Sequence, residues 1–395
     1  MSNVKIFTNN VEGSAVNQIY TLVAQEVFKD SKVRIMPDVH SGAGCVIGFT
    51  ADLGDKVIPN VVGVDIGCGM LTVELGKIDL NLELLDEAIK KVVPHGFSVH
   101  SKSSIYSSAK SMPFDIKELK CYDELRNKEN IELSLGSLGG GNHFIEIDKD
   151  DEDNKYLIIH TGSRNLGKQV ADIYQKKAIS LINRASNDDK EKIIKQLKAE
   201  NRQRDIPDAL KALTPTIKIP NELAYLEGEN RLDYLHDMRL CQRFAYANRE
   251  TIAKNILKKM NLAEVNRFQT IHNYIGDDNI VRKGSISAYK DEIVLIPINM
   301  RDGCIIGRGL GNEDWNFSAP HGAGRILSRG DAKRSLDLDQ FTDDMKDIYT
   351  TTANLSTIDE SPRAYKPMDE IVENIKDTVE IIKIIKPIYN FKAAE

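Results

Sequence analysis

The chain has 395 residues, 41% of them hydrophobic and 28% charged, an ordinary globular composition that excludes wholesale disorder and allows a large core. A formal charge of -6 argues against a broad basic face holding nucleic acid by phosphate neutralisation alone, so any such contact is expected to be local. Five scattered cysteines (Cys45, Cys68, Cys121, Cys241 and Cys304) fit reduced thiols, and neither a signal-peptide core in Met1 to Thr8 nor a bilayer-spanning apolar run is present, so a cytoplasmic protein without a membrane partner is expected.

Residues 14 to 29 place Val16, Ile19, Tyr20, Val23, Val27 and Phe28 at helical spacing and predict an amphipathic helix. Val33 to His40 reads as a short strand stopped by Pro37, and Ser41 to Gly48 as a glycine-broken loop where backbone can approach a ligand closely. His40 is then a loop histidine, as consistent with a turn as with a ligand. In Val61-Val62-Gly63-Val64-Asp65-Ile66-Gly67-Cys68-Gly69-Met70, a carboxylate and a thiol stand three residues apart in an apolar, glycine-interrupted run. Such a turn can bring both to one borderline metal ion, with the thiolate bridging. Taken alone, it reads first as a buried strand ending in a turn, with Cys68 as a small core residue and Asp65 capping a backbone group.

Leu80 to Val93 predicts a helix, and residues 94 to 130 an irregular stretch. Gly139-Gly140-Gly141 then precedes a strand in which Asn142, Phe144 and Glu146 alternate with His143 and Ile145. Glycines leave no side chains to pack, so the run suggests clearance for a ligand. Lys155 to Gly167 gives a strand, a histidine (His160) at its end and a glycine-containing turn into a helix. Free N–H groups there, beside Ser163 and Arg164, suit a phosphate.

Residues 168 to 264 are long, charged and mainly helical, with a break near Thr214 to Pro220. Leu235, Met238, Cys241, Phe244, Ala245, Ile252 and Ile256 form one apolar stripe, with His236 on the polar face and the charged run Asn187 to Lys192 toward solvent. This segment is assigned to structure or RNA contact. His272 again ends a strand and is followed by an amide, Asn273. Gly307 to Gly311 fails as a dinucleotide loop because no amphipathic helix follows. His321 is flanked by small residues, with Arg325 and Arg329 close behind, as attack at phosphorus requires. A final helix is expected to use Ile371, Ile375, Val379 and Ile382, before a tail ending at Glu395.

Four of the eight histidines (His143, His160, His272 and His321) thus share strand ends or glycine-rich loops. With Asp65 and Cys68 they could form a two-metal site: Asp65, Cys68 and His143 for one ion, Cys68, His160 and His272 for the other. Thiolate with imidazole suits zinc or manganese-class ions, and two metals beside a nucleophilic histidine suggest phosphoryl or nucleotidyl transfer.

From Pro37-Asp38-Val39-His40 through Gly63 to Gly69, Gly141-Asn142-His143-Phe144, His160 to Arg164, His272-Asn273-Tyr274 and His321 to Arg325, and on to Lys392, the chain resembles the RtcB-type RNA-splicing ligases as a divergent, bacterial-type member. The resemblance implies one α+β catalytic domain over residues 1–395, of the family's own fold, with 168–264 as a helical insertion. It implies a GTP- and Mn²⁺-dependent ligase joining an RNA 3′-phosphate or 2′,3′-cyclic phosphate to a 5′-hydroxyl, in RNA repair or tRNA splicing, with tRNA as a candidate substrate and a protein activator as a candidate partner. Asp65, Cys68, His143, His160 and His272 resemble the ligands of two manganese ions, and His321 the histidine that becomes guanylated. Asn142, His143, Phe144, Ile145, Glu146, His272, Asn273, Pro297, Ile298, Asn299, Met300, Cys304, His321, Gly322, Ala323, Gly324 and Lys392 match the GTP contacts.

Where typical members read Pro-Gly-Ser/Thr-Met-Gly before a serine, this chain has Pro297-Ile298-Asn299-Met300-Arg301, and Cys304 replaces the serine. Two other readings compete: a metal-dependent phosphoesterase that opens cyclic RNA ends without ligation, and a non-catalytic RNA-end binding protein. Neither needs a nucleophile, so an intact His321 speaks against both.

Overall fold

The computed structural model describes residues 3–108, 111–212 and 219–393. Most of the helical break expected near Thr214, and the tail's end at Ala394 and Glu395, lie outside the described residues. The chain is α+β. Its larger sheet has seven strands in the order Ile293–Asn299, Gly303–Gly309, Val379–Lys392, Phe144–Lys149, Lys155–Thr161, Gly69–Gly76 and Asn266–Ile271, with every neighbouring pair antiparallel. A five-stranded sheet runs Val4–Ile6, Val33–His40, Ile47–Asp52, Ile280–Lys283 and Asn273–Ile275.

Alternation along the larger sheet separates its two faces. Leu71, Val73, Ile145, Leu157 and Ile159 turn to one side and pack with Leu85 and Ile89 of the helix Leu82–Val92 and with Ile252 and Ile256 of the helix Gly228–Met260. Met70, Phe144, Tyr156 and Ile158 turn to the other side. His160 shares the second parity, so the pleat aims it away from the helices.

The ends of four adjacent strands coincide in a row: Phe144 pairs with His160, His160 with Met70, and Met70 with Thr270. His272 lies where the chain passes from the seven-stranded sheet into the five-stranded one. Register alone therefore brings residues scattered over two hundred positions to one sheet edge.

The helix Gly228–Met260 spans 33 residues and serves two cores. Tyr234, Leu235, Met238, Cys241 and Phe244 join the cluster around the five-stranded sheet, whereas Ile252, Ala253, Ile256 and Leu257 join the one under the seven-stranded sheet. His236 stays on the helix's wetter face, with Nδ1 3.0 Å from Asp237 Oδ1. Asp188, Asp189 and Lys190 are exposed. Among the described residues, no helix is long and apolar enough to cross a membrane.

Three local expectations change. The first helix covers only Gly13–Val23, and Glu26–Phe28 follows as a 3₁₀ turn. Strand Val33–His40 is not stopped by Pro37; ladder pairing lapses between Ile35 and His40, so a residue without an N–H sits where no bond is required. His40 is therefore a strand-end residue. Near the C-terminus the helix is short, Met368–Asn374, and Val379–Lys392 is a 14-residue central strand. Ile371, Ile375 and Val379 do share one core cluster, which is the helical spacing seen in the sequence, but the third comes from the strand's first residue.

The two assignments of this segment predict different costs. Ile385 is fully buried, whereas Ile382 is 42% exposed, so Ile385→Ala should lower unfolding free energy by about 2–5 kcal/mol and Ile382→Ala by less than about 1 kcal/mol, as read from urea midpoints. A helix over 371–382 would instead make Ile382→Ala the costly change.

Candidate active site

At this shared edge, the turn after Val62 returns Asp65 and Cys68 toward the strand ends. Cys68 Sγ lies 3.2 Å from His160 Nε2 and 3.6 Å from His143 Nε2, and His143 Nε2 lies 2.9 Å from Asp65 Oδ2. Gly162 makes room for the carboxylate, since a Cβ there would fall 2.1 Å from Asp65 Oδ1. Donor atoms of Asp65, Cys68 and His143 converge within 4.8 Å of one another, as do those of Cys68, His160 and His272. The thiol belongs to both groups.

Two of the three rings are oriented from behind. His143 Nδ1–H donates to the Leu138 carbonyl at 2.9 Å and His160 Nδ1–H to that of Asn142 at 3.1 Å, which leaves both Nε2 lone pairs facing the thiol. His272 Nδ1 is buried without a partner. Burial lowers the pKa of His160 and His272 well below the ordinary value, so both rings are neutral. Burial raises the Cys68 thiol, and the Asp65 charge raises it further. Burial would also raise the Asp65 carboxyl, but its contact with the His143 ring brings it below its usual range. A buried thiol, a carboxylate and neutral imidazoles with lone pairs converging is a donor set that fits a divalent ion of borderline softness.

The imidazoles continue in a file. Ring centroids of His160 and His272 are 5.3 Å apart, and those of His272 and His321 are 4.6 Å apart. His321 is held by the fully buried Asp38, whose Oδ2 accepts from Nδ1–H at 2.7 Å and from the His321 backbone N–H at 3.1 Å. Asp38 only accepts when ionised, so Nδ1 carries the ring proton and Nε2 keeps its lone pair. This pairing is the one a nucleophilic imidazole needs.

One cavity contains Asp65, Cys68, His160, His272 and His321 together with Asn142, Phe144, Glu146, Asn273, Pro297 to Met300, Gly322 to Gly324 and Lys392. The family model for the tRNA-splicing ligase RtcB matches residues 19–393. The chain belongs to the RtcB family. The RNA-splicing ligase RtcB of Escherichia coli is 31% identical over 429 residues, covering 98% of this chain and 96% of that protein. The RNA-splicing ligase RtcB1 of another Escherichia coli strain matches at the same identity and coverage, and the tRNA-splicing ligase RtcB of Aeropyrum pernix is 27% identical, covering 86% and 83%.

Among the residues matched by sequence to RtcB nucleotide contacts, Ile145 and Cys304 do not line the cavity. Ile145 points through the sheet into the helix-packed core, and Cys304 lies behind Glu146, with Sγ 3.9 Å from Oε1. His143 does not line it either and sits beneath the wall, in the donor group with Asp65 and Cys68. Asn273 both lines the cavity and braces it: its Nδ2 donates to the Asp65 carbonyl at 3.1 Å and its Oδ1 accepts from Gly284 N–H at 3.0 Å. Arg164, grouped above with a phosphate site, instead donates to the Gly96 carbonyl and the Ser137 hydroxyl.

Sequence reasoning missed Glu360, Tyr365 and Asn390 on the wall, and gave Asp38 no role of its own. Asp38 and His40 stood in a quoted motif, which was the available signal. Glu360, the second of two adjacent acids in a polar stretch, offered none. It pairs with Lys392, Arg325 and Arg329. Burial would raise its carboxyl, but those three cations hold it at about 2.

Glu146 on the wall is joined by Asp148 behind it. Glu146 accepts from Asn390 Nδ2, while both Asp148 oxygens are buried without a partner. Burial raises both carboxyls, Glu146 to about 7, and the Glu146 charge further raises Asp148. A carboxyl whose folded value exceeds its unfolded value binds a proton the unfolded chain has released, so stability falls as pH rises through that interval. Asp148→Asn should therefore stabilise the protein increasingly as pH climbs above the ordinary carboxyl range; parallel melting curves at pH 5 and pH 8 check this, and an equal offset at both would contradict it.

Because the Cys68 thiol is raised, a bound ion must displace its proton. Metal affinity should increase with pH, and binding should release a proton detectable by calorimetry in buffers of different ionisation enthalpy. Cys68→Ala should lose both ions and the proton release. Retention of two ions would refute a shared thiolate.

Proposed function

We propose that this chain is an RNA ligase that joins RNA 3′-phosphate or 2′,3′-cyclic phosphate ends to 5′-hydroxyl ends in RNA repair or tRNA splicing, using GTP and two Mn²⁺ ions. In this reading residues 1–395 act as one catalytic unit that includes the helical segment 168–264. The helix Gly228–Met260, packed into both cores, supports that. RtcB-named relatives over nearly the whole chain support the RNA substrate. The observation that carries the chemistry is His321, fixed by Asp38 at 2.7 Å and set beside the Cys68–histidine group.

Asp65, Cys68, His143, His160 and His272 would hold the ions, which would supply positive charge to the phosphate oxygens during transfer. His321 Nε2 attacks the α-phosphorus of GTP; an N–P bond forms and the bond to pyrophosphate breaks. Asp38 holds the Nδ1 proton throughout and offsets the charge the ring acquires, as carboxylates do behind other reactive imidazoles. A 3′-phosphate oxygen of the RNA then takes the guanylyl group and frees the ring. Attack by the 5′-hydroxyl, with loss of its proton, joins the strands and expels GMP. A cyclic end first requires hydrolysis to the 3′-phosphate. Phe144, Glu146, Asn390 and Lys392 form the wall suited to a base and ribose, with one carboxylate able to accept adjacent N–H groups.

The decisive measurement is incubation with Mn²⁺ and α-labelled GTP followed by denaturing electrophoresis. Acid-labile label should attach to the wild type and not to His321→Ala, and α-labelled ATP should label it more weakly. Absence of label from the wild type with metal demonstrably bound would sink the ligase reading. Asp38→Asn should slow labelling by about 10²- to 10⁴-fold, since the amide no longer fixes the tautomer.

A further inference from the structure

The helix Gly228–Met260 carries two adjacent polar residues, Asn248 and Arg249, that are completely buried. Arg249 NH1 donates to the carbonyls of Gly67 at 2.9 Å and Thr161 at 2.8 Å, and its Nε to Gln269 Oε1 at 2.8 Å. Gly67 immediately precedes Cys68, Thr161 immediately follows His160, and Gln269 stands three residues before His272. Asn248 Oδ1 accepts from the N–H groups of Gly136 at 2.7 Å and Ser137 at 3.1 Å, and Nδ2 donates to the carbonyls of Ser137 at 3.0 Å and Gly162 at 3.2 Å. The next residue, Leu138, supplies the carbonyl that orients the His143 ring.

The helix lies directly against the Cys68 turn. At Gly67, with φ +69°, a Cβ would sit 2.9 Å from Gln242 Cα, so only glycine permits this approach. Among the described residues Arg249 forms no ion pair with a carboxylate, and its NH2 has no partner. A buried guanidinium without a counter-ion is expensive. The carboxylates acting on it are Asp65 and then Glu250, neither of them paired with it. A guanidinium used merely to stabilise a helix would not be left so.

We propose that Arg249 and Asn248 are positioning residues for the metal centre: from one rigid helix they fix the spacing between the Cys68 turn, the His160 strand end and the segment that orients His143. This rests on the metal-ligand reading above and adds to it a helix that contributes no ligand. A planar guanidinium that reaches two carbonyls through NH1 and Gln269 through Nε is required, which lysine cannot reproduce.

The test uses the full-length protein without nucleotide or RNA, titrated with Co²⁺ as the probe. It reads stoichiometry, affinity, the thiolate-to-cobalt charge-transfer band and the ligand-field spectrum. Wild type should bind two equivalents. Arg249→Met should weaken binding by about 10- to 100-fold, the usual effect of removing an outer-shell partner, with an altered ligand-field spectrum. Arg249→Lys keeps the charge but not the fork and should recover only part of the loss. Asn248→Ser should shift the spectrum with a smaller loss of affinity. Circular dichroism establishes that each variant is folded; if Arg249→Met is not, the lysine and serine variants decide. Wild-type affinity and an unchanged spectrum in the folded variants would overturn the proposal alone. A wild type that binds no Co²⁺ would overturn the metal-ligand reading as well.

Discussion

A single sulfur shared by two donor groups constrains the rest of this structure. Cys68 Sγ has imidazole nitrogens at 3.2 and 3.6 Å on the ends of different strands, and those nitrogens must hold their places to within tenths of an ångström for both groups to exist. Loops alone rarely achieve that. Here the positions come from a seven-stranded sheet whose register aligns Phe144, His160, Met70 and Thr270. A slip of one residue would turn His160 into the helix-packed core and Ile159 into the cavity, so the core's demand to bury Leu157 and Ile159 also fixes the ligand.

His321 follows a different logic. It does not belong to the large sheet and arrives after the short strand Ser318–Pro320. Its place depends on Asp38, from the five-stranded sheet, which accepts both its ring and backbone N–H groups. The candidate active site is thus the seam between two sheets: one brings most of the donor atoms and the other the carboxylate behind the nucleophile. His272, at the crossover of the chain between them, stands between both sets.

Much of this was legible from sequence because glycine-rich turns beside histidines are unusual and local. Asp65, Cys68, His143, His160, His272 and His321 each carried a signal within about five residues, and the structure gathers them at one cavity, His143 beneath its wall. What stayed hidden depends on pairs distant in the chain. Nothing near Asp38 points to His321, and nothing near Glu360 points to Lys392. Arg249 was hidden for another reason: it lies in a helix whose apolar stripe accounts for its neighbours, and burial of its guanidinium is a tertiary fact. Ile145 illustrates the limit of a motif, which assigns a whole run of residues where the pleat sends alternate side chains to opposite faces. Val379–Lys392 was misread because Ile371, Ile375, Val379 and Ile382 satisfy helical period, while the β-branched content from Val379 onward was the better guide.

Charge settles how an acidic chain can host a polyanion. The overall formal charge is -6, yet Arg325, Arg329 and Lys392 converge on one cavity wall. They are not free: Glu360, almost fully buried, pairs with all three. This arrangement keeps the cations ordered and their charge balanced before any ligand arrives. A phosphate or base that draws Lys392 away leaves Glu360 with two arginines, so the carboxylate is never stranded. Binding then becomes an exchange of partners inside the wall, without burial of a new uncompensated charge. Recognition built this way selects for a ligand that reaches a few defined cations, which a diffuse basic face could not do, and it is compatible with a surface that repels nucleic acid elsewhere.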